Sequence, residues 1–170
     1  AFTSKEHTCY YAKVLAVDLP LAIDVLCDVV TDAQLRSEDI EGERGVILEE
    51  IAMVDDDPSD LVHDQFARTL FGDTALGRPI LGTAHTILGI TRRSIINFYA
   101  KFYQSDSLVV AIAGDVDHAR AVRLVEKALD ASPKTHLSTA KAGLRPEGGK
   151  IKIGTAISSL DTRKTEQAHV

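Results

Sequence analysis

The sequence predicts an α+β fold: a mixed or antiparallel sheet with helices packed on one face. Three observations carry that expectation. Thr8 to Val14 is rich in β-branched and aromatic residues, the composition of a strand. Between Asp18 and Leu129 most of the chain places apolar residues at helical spacing,. Among these helical stretches, Ser107 to Ala113 is almost continuously apolar, the pattern of a strand covered on both faces.

The elements follow in order. Ala1 to Ser4 is expected to pair with Thr8–Val14 as a hairpin, with Lys5, Glu6 and His7 in the turn. Asp18 to Asp32 forms a helix, capped by Asp18, with Pro20 in its first turn and Leu21, Val25, Leu26, Val29 and Val30 inward. Ser37 to Pro58 forms the next. Ser37 can accept a bond from an orphan amide, and Glu38, Asp39 and Glu41 suit the positive end of the helix dipole. A proline at position 58 disfavours a helical residue before it and opens a further helix with Leu61, Phe66, Leu70 and Phe71 on its buried side. Gly72, Gly77, Pro79, Gly82 and Gly89 then punctuate a long loop, with Thr83 capping a short turn,. Thr91 to Gln104 is a helix with Ile95, Ile96, Tyr99, Phe102 and Tyr103 inward; Asp117 to Leu129 is another, entered through the turn Gly114–Asp117. Ala131 to Gly149, poor in apolar residues, is a connecting loop. Lys150 to Ile157 alternates as a strand does, and Glu166 to Val170 begins a further one.

The helix from Ser37 carries the chemistry. Ile40, Ile47, Ile51 and Val54 make one apolar arc, flanked by Val46 and Met53,. Residues seven apart on a helix nearly superimpose down its axis, so Glu43 and Glu50 share one side and fall inside that arc, whereas Glu49 points elsewhere. A buried unpaired carboxylate costs several kcal/mol, so carboxylates placed there call for a cation. Two readings stand level on the residues alone. In one, the pair is semi-exposed and snorkels from the edge of the arc, or one of the two is bridged to Arg44; in the other, one is a metal ligand supported by the other.

Composition narrows the function classes. The chain has 170 residues, 45% hydrophobic and 26% charged, ordinary for one globular domain with a real core. A net charge of −6 argues against nucleic acid or an anionic membrane as partner. No apolar run approaches the ~20 residues of a membrane span. Cys9 and Cys27 form no CxxC pair, which favours a reduced, cytoplasmic setting over a disulfide framework. His7 and Cys9 alternate onto one strand face, but two ligands do not make a site. Asp55-Asp56-Asp57 lacks the glycine and distal glutamate of a calcium loop, and Gly148-Gly149-Lys150 lacks the spacing of a phosphate loop. A start at Ala1 without methionine, and an end at Val170 with no closing element, suggest an internal piece of a longer chain.

Several segments together resemble the pitrilysin, insulinase and mitochondrial processing peptidase family of zinc peptidases, in its bacterial branch. They are Ala1 to Val14, Glu43-Arg44-Gly45-Val46-Ile47-Leu48-Glu49-Glu50-Ile51, Asp57-Pro58, Gly77-Arg78-Pro79-Ile80-Leu81-Gly82-Thr83, Ala113-Gly114-Asp115-Val116 and Arg163 to Val170. The resemblance implies that Glu50 is a zinc ligand and that Glu43 is its supporting carboxylate. It also implies that Ala1, Phe2 and Thr3 offer a strand edge to which an extended peptide substrate adds. Residues 1–135 would be the main part of an N-terminal peptidase-like domain, 136–150 a connecting loop, and 151–170 the start of further strands. The expected activity is zinc-assisted peptide hydrolysis in the intact parent, working alone, as a homodimer or as a pair of homologous subunits. The family's His-x-x-Glu-His motif does not occur in these 170 residues; the remaining ligands are expected upstream, and this piece alone should be inactive. The rivals are a non-catalytic homologue that presents substrate and a plain interaction domain without chemistry.

Overall fold

The computed structural model describes residues 1–104 and 107–131. The strands expected at Lys150–Ile157 and Glu166–Val170 lie outside the described residues. So does the loop before them, beyond residue 131.

The sheet is smaller than predicted. A short strand β1 (Phe2–Thr3) pairs with β2 (Thr8–Cys9), and among the described residues these two strands make up the only sheet. The turn lies where it was expected. The Ser4 amide donates to the His7 carbonyl at 2.8 Å, and the Ser4 hydroxyl lies 2.9 Å from His7 Nδ1. Pairing stops at Cys9 rather than Val14 because a strand's amides and carbonyls need a neighbouring ladder, and no third strand is present among the described residues. The same reason corrects the strand expected at Ser107–Ala113. Its backbone has no strand partner among the described residues, and Val109 is 93% exposed.

Six α-helices among the described residues make up most of the structure: α1 (Leu19–Thr31), α2 (Ser37–Asp56), α3 (Pro58–Phe71), α4 (Ala84–Gly89), α5 (Arg92–Phe102) and α6 (His118–Ala131). The result is helix-rich α+β. The described chain divides into two compact units. One comprises residues 1–2, 8–36, 91–104 and 107–131; the other comprises residues 3–7 and 37–90.

In the first unit α1 packs along α6. Ile23 and Thr31 of α1 are buried, with Cys27 and Val30 half-buried between them. On α6, Ala121 is buried and Leu124, Val125, Ala128 and Leu129 are half-buried, an apolar stripe at helical spacing,. This corrects part of the predicted inward face of α1: Leu26 and Val30 are half-buried as expected, whereas Leu21, Val25 and Val29 are exposed. The helix is apolar on most of its circumference, so periodicity alone did not choose between its faces. Asp18 precedes α1 but makes no capping bond; Asp117 does cap α6, accepting from the Arg120 amide at 2.8 Å.

α5 begins at a capping box in which Thr91 and Ser94 exchange side-chain and backbone bonds,. Its Tyr99 is buried, and the Tyr99 hydroxyl donates to the Val30 carbonyl at 2.6 Å. The Tyr103 ring centroid lies 4.8 Å from that of Tyr99, and the Tyr103 and Tyr10 hydroxyls are 2.9 Å apart. Burial first, then the Tyr10 hydroxyl, raises the Tyr103 phenol well above its ordinary value; burial also raises that of Tyr99. Ile95, Ile96 and Tyr103 face inward as expected, whereas Phe102 is exposed and packs on Phe98 at 4.6 Å.

In the second unit α2 packs against α3 and α4. Asp57 caps α3 by accepting from the Ser59 amide at 2.8 Å, with Pro58 in the first turn. Phe66, expected on the buried side of α3, is 64% exposed, whereas Leu61, Leu70 and Phe71 are half-buried. The loop after α3 needs two of its glycines. A Cβ at Gly77 would stand 1.9 Å from the Gly72 carbonyl oxygen, and Gly82 has φ +76°,. The turn foreseen at Thr83 is the short helix α4, started by a Thr83–Thr86 capping box. Lys5 reaches from the hairpin turn to the Arg78 carbonyl.

Candidate metal-ligand helix

Helix α2 carries eight carboxylates and one base. Its sequence, SEDIEGERGVILEEIAMVDD, contains Glu38, Asp39, Glu41, Glu43, Glu49, Glu50, Asp55 and Asp56 against Arg44 alone. Glu43 and Glu50 project from the same side, seven residues and about 10 Å of helix rise apart. Both are exposed. That corrects the expectation of a buried acidic pair inside an apolar arc. Ile40, Ile47, Ile51 and Val54 are only half-buried, and Val46 and Met53 are exposed. The physical reason is that, among the described residues, α2 is covered by α3 and the short α4, which leave every one of its residues at least partly exposed.

Exposure removes the desolvation cost and leaves the carboxylates accessible. Among the described residues neither Glu43 nor Glu50 has a hydrogen bond or ion-pair partner. Arg44 does not bridge to Glu43. Its Nε and Nη2 form a two-pronged pair with Glu41 Oε2 and Oε1, both at 3.0 Å. Its Nη2 also donates to the Ile90 carbonyl at 2.9 Å, and Nη1 donates to the Ile87 carbonyl. The hydrogen bond from Arg44 holds the Glu41 carboxyl below its ordinary range. The Arg44 side chain is 15% exposed, Glu41 66%.

Glu50 borders an open cleft with Met53, Val54, Asp57, Asp60 and Leu81. Of these, Asp57 is committed to capping α3. The exposed Met53 and the half-buried Leu81 give the cleft apolar walls beside the acidic group. Among the described residues no three histidines, cysteines, aspartates or glutamates gather around one point. Glu50 therefore offers a single oxygen donor of a kind zinc accepts, where a catalytic zinc takes three protein ligands. Ala1, Phe2 and Thr3 are all exposed, with Phe2 and Thr3 forming β1 and the Phe2 ring centroid 6.2 Å from that of Tyr11.

The residue-level reasoning missed what Arg44 does. The only hint was that a short helix ending near Ile90 has carbonyls without intrahelical donors; nothing in the local spacing connects Arg44 to them. It also missed that Met53 and Leu81 share the cleft beside Glu50.

Comparison with known proteins completes the picture. Residues 1–84 match the family model described as insulinase (peptidase family M16), and residues 89–170 match the one described as peptidase M16 inactive domain. An uncharacterized zinc protease of Streptomyces coelicolor is 53% identical over 171 residues, covering 100% of this chain and 37% of that protein. Bovine mitochondrial-processing peptidase subunit beta is 38% identical over 136 residues, covering 80% of this chain and 28% of that protein. A solved structure described as an M16-like peptidase, from Alicyclobacillus acidocaldarius, superposes with a TM-score of 0.64 at 26% identity, covering 68% of this chain and 27% of the other. The chain thus spans between 28% and 39% of the length of these curated relatives.

Proposed function

The chain belongs to the M16 (insulinase) family of zinc metallopeptidases, and from that premise we propose that its parent protein is a zinc-dependent endopeptidase acting on extended peptides. Glu50 supplies one carboxylate ligand to the zinc, whose other protein ligands come from outside the described residues. Glu43, two turns earlier on the same side of α2, lends its negative charge to that site and orients a neighbouring ligand. Zinc, when bound, supplies a Lewis acid for peptide hydrolysis. Backbone groups of Ala1, Phe2 and Thr3 receive the substrate as an added strand, so an extended main chain matters more than one side chain.

The observation that supports this reading is the pair itself: two exposed, uncommitted carboxylates on one side of a helix whose single cation is engaged elsewhere. In the parent protein, Glu50→Gln is expected to strip bound zinc and to lower peptidase activity by more than about 100-fold, beyond what loss of a merely supporting group produces. Unchanged zinc content and activity would remove the proposal. A second reading, a non-catalytic homologue that presents peptides, is favoured by the description of the model matched by residues 89–170. It predicts that the unaltered parent holds no zinc and cleaves no peptide.

A further inference from the structure

The guanidinium of Arg44 uses four of its five donors, two on Glu41 and one each on the carbonyls of Ile87 and Ile90. The two halves of this arrangement do different things. The fork with Glu41 fixes the side chain on its own helix, at a spacing of three residues,. The two carbonyl bonds tie α2 to the C-terminal end of α4, where the Ile87 carbonyl is shared with the Ile90 amide at 3.3 Å and the Ile90 carbonyl follows the last turn,. α4 has six residues, too few to hold itself as a helix, so it depends on its Thr83–Thr86 box at one end and on Arg44 at the other.

Arg44 immediately follows Glu43 in the chain. A side chain pinned at that turn fixes the rotation of α2 about its axis, and with it the direction of Glu43 and of Glu50 two turns on. The pinning has a second effect. Arg44 is the only base on a helix with eight carboxylates, and in this arrangement its charge is spent on Glu41 and two carbonyls. We propose that Arg44 is a positioning residue for the acidic side of α2: it sets the azimuth of Glu43 and Glu50 and keeps the helix's one cation from neutralising them. The inference rests on the zinc-ligand reading of Glu50.

Lysine is the discriminating replacement, since it keeps the charge but lacks the planar fork that serves Glu41 and both carbonyls at once. In the parent protein, Arg44→Lys should weaken zinc binding, measured by competition with a chelator, by about 10-fold. It should lower kcat by a similar factor with KM unchanged, while the far-ultraviolet circular dichroism stays that of the unaltered protein. Glu41→Gln, which removes half the fork, should shift both quantities the same way but by less. Zinc affinity and kcat within twofold of the unaltered protein for Arg44→Lys would overturn the proposal. So would a loss of kcat that only follows a loss of folded protein. Glu50→Gln measured alongside separates the two claims. Zinc retained by Glu50→Gln removes the functional reading itself, whereas zinc lost by Glu50→Gln and kept by Arg44→Lys removes only the role of Arg44.

Discussion

The two units are held together by different means. The unit containing α1, α5 and α6 buries Ile23, Tyr99 and Ala121 and threads a phenol network from Tyr10 through Tyr103. The unit containing α2, α3 and α4 buries no residue of its three helices. It relies on the caps at Asp57 and Thr83 and on the Arg44 clamp. Glu50, proposed as a zinc ligand, and Glu43, proposed as its supporting charge, lie on the second kind of support. A group that must meet an ion and a substrate cannot be sealed in a core, so its orientation has to come from directional bonds instead.

That contrast can be broken most sharply with Ile23. Ile23→Ala removes a buried side chain at the α1–α6 seam and should cost about 2–5 kcal/mol in urea unfolding. A cost under 1 kcal/mol would mean that apolar burial is not what holds this unit. Next come the caps. Thr83→Ala and Thr91→Ala each remove a capping box and should cost about 1 kcal/mol in the same measurement. The contrast predicts that the Thr83 substitution, in the unit whose three described helices bury no residue fully, also loosens amide-exchange protection across α4, while the Thr91 substitution leaves α5 protected; equal loosening would erase the distinction.

The smallest effects are in pH, and they have opposite signs in the two units. The Tyr103 phenol is raised in the folded state, so its contribution is fully present below the ordinary tyrosine value of about 10 and is lost as pH rises through and beyond it. The Glu41 carboxyl is lowered, so its contribution is present above its ordinary value and is lost as pH falls through the lowered one. Melting temperatures of Tyr103→Phe and Glu41→Gln against pH test this. The first should flatten the alkaline limb only, the second the acid limb only.

Much of the helical framework was legible because its signals are local. Asp57, Thr83, Thr91 and Asp117 each act on amides two or three residues away, so the starts of α3, α4, α5 and α6 fall where those residues predict. The common side of Glu43 and Glu50 was legible for a similar reason, since it follows from helix geometry alone. Their exposure was not, because burial is decided by what α3 and α4 leave uncovered. Ser107–Ala113 has the composition of a strand, but a strand exists only beside another, and that partner is a non-local fact. The face of α1 was misassigned in part, because Leu21, Val25 and Val29 are as apolar as Ile23 and Cys27; only Leu26 and Val30 of the expected set turn inward. Arg44 was seen as a bridge within its own helix, while two of its partners lie more than forty residues along the chain.

The phenol network has an optical consequence. The chain contains four tyrosines and no tryptophan, and all four, Tyr10, Tyr11, Tyr99 and Tyr103, belong to the unit built on α1, α5 and α6. Ultraviolet emission from this chain is therefore a reporter confined to that unit. A tryptophan substituted at exposed Met53 would give the acidic helix a colour of its own, so the melting of each could be followed in one cuvette.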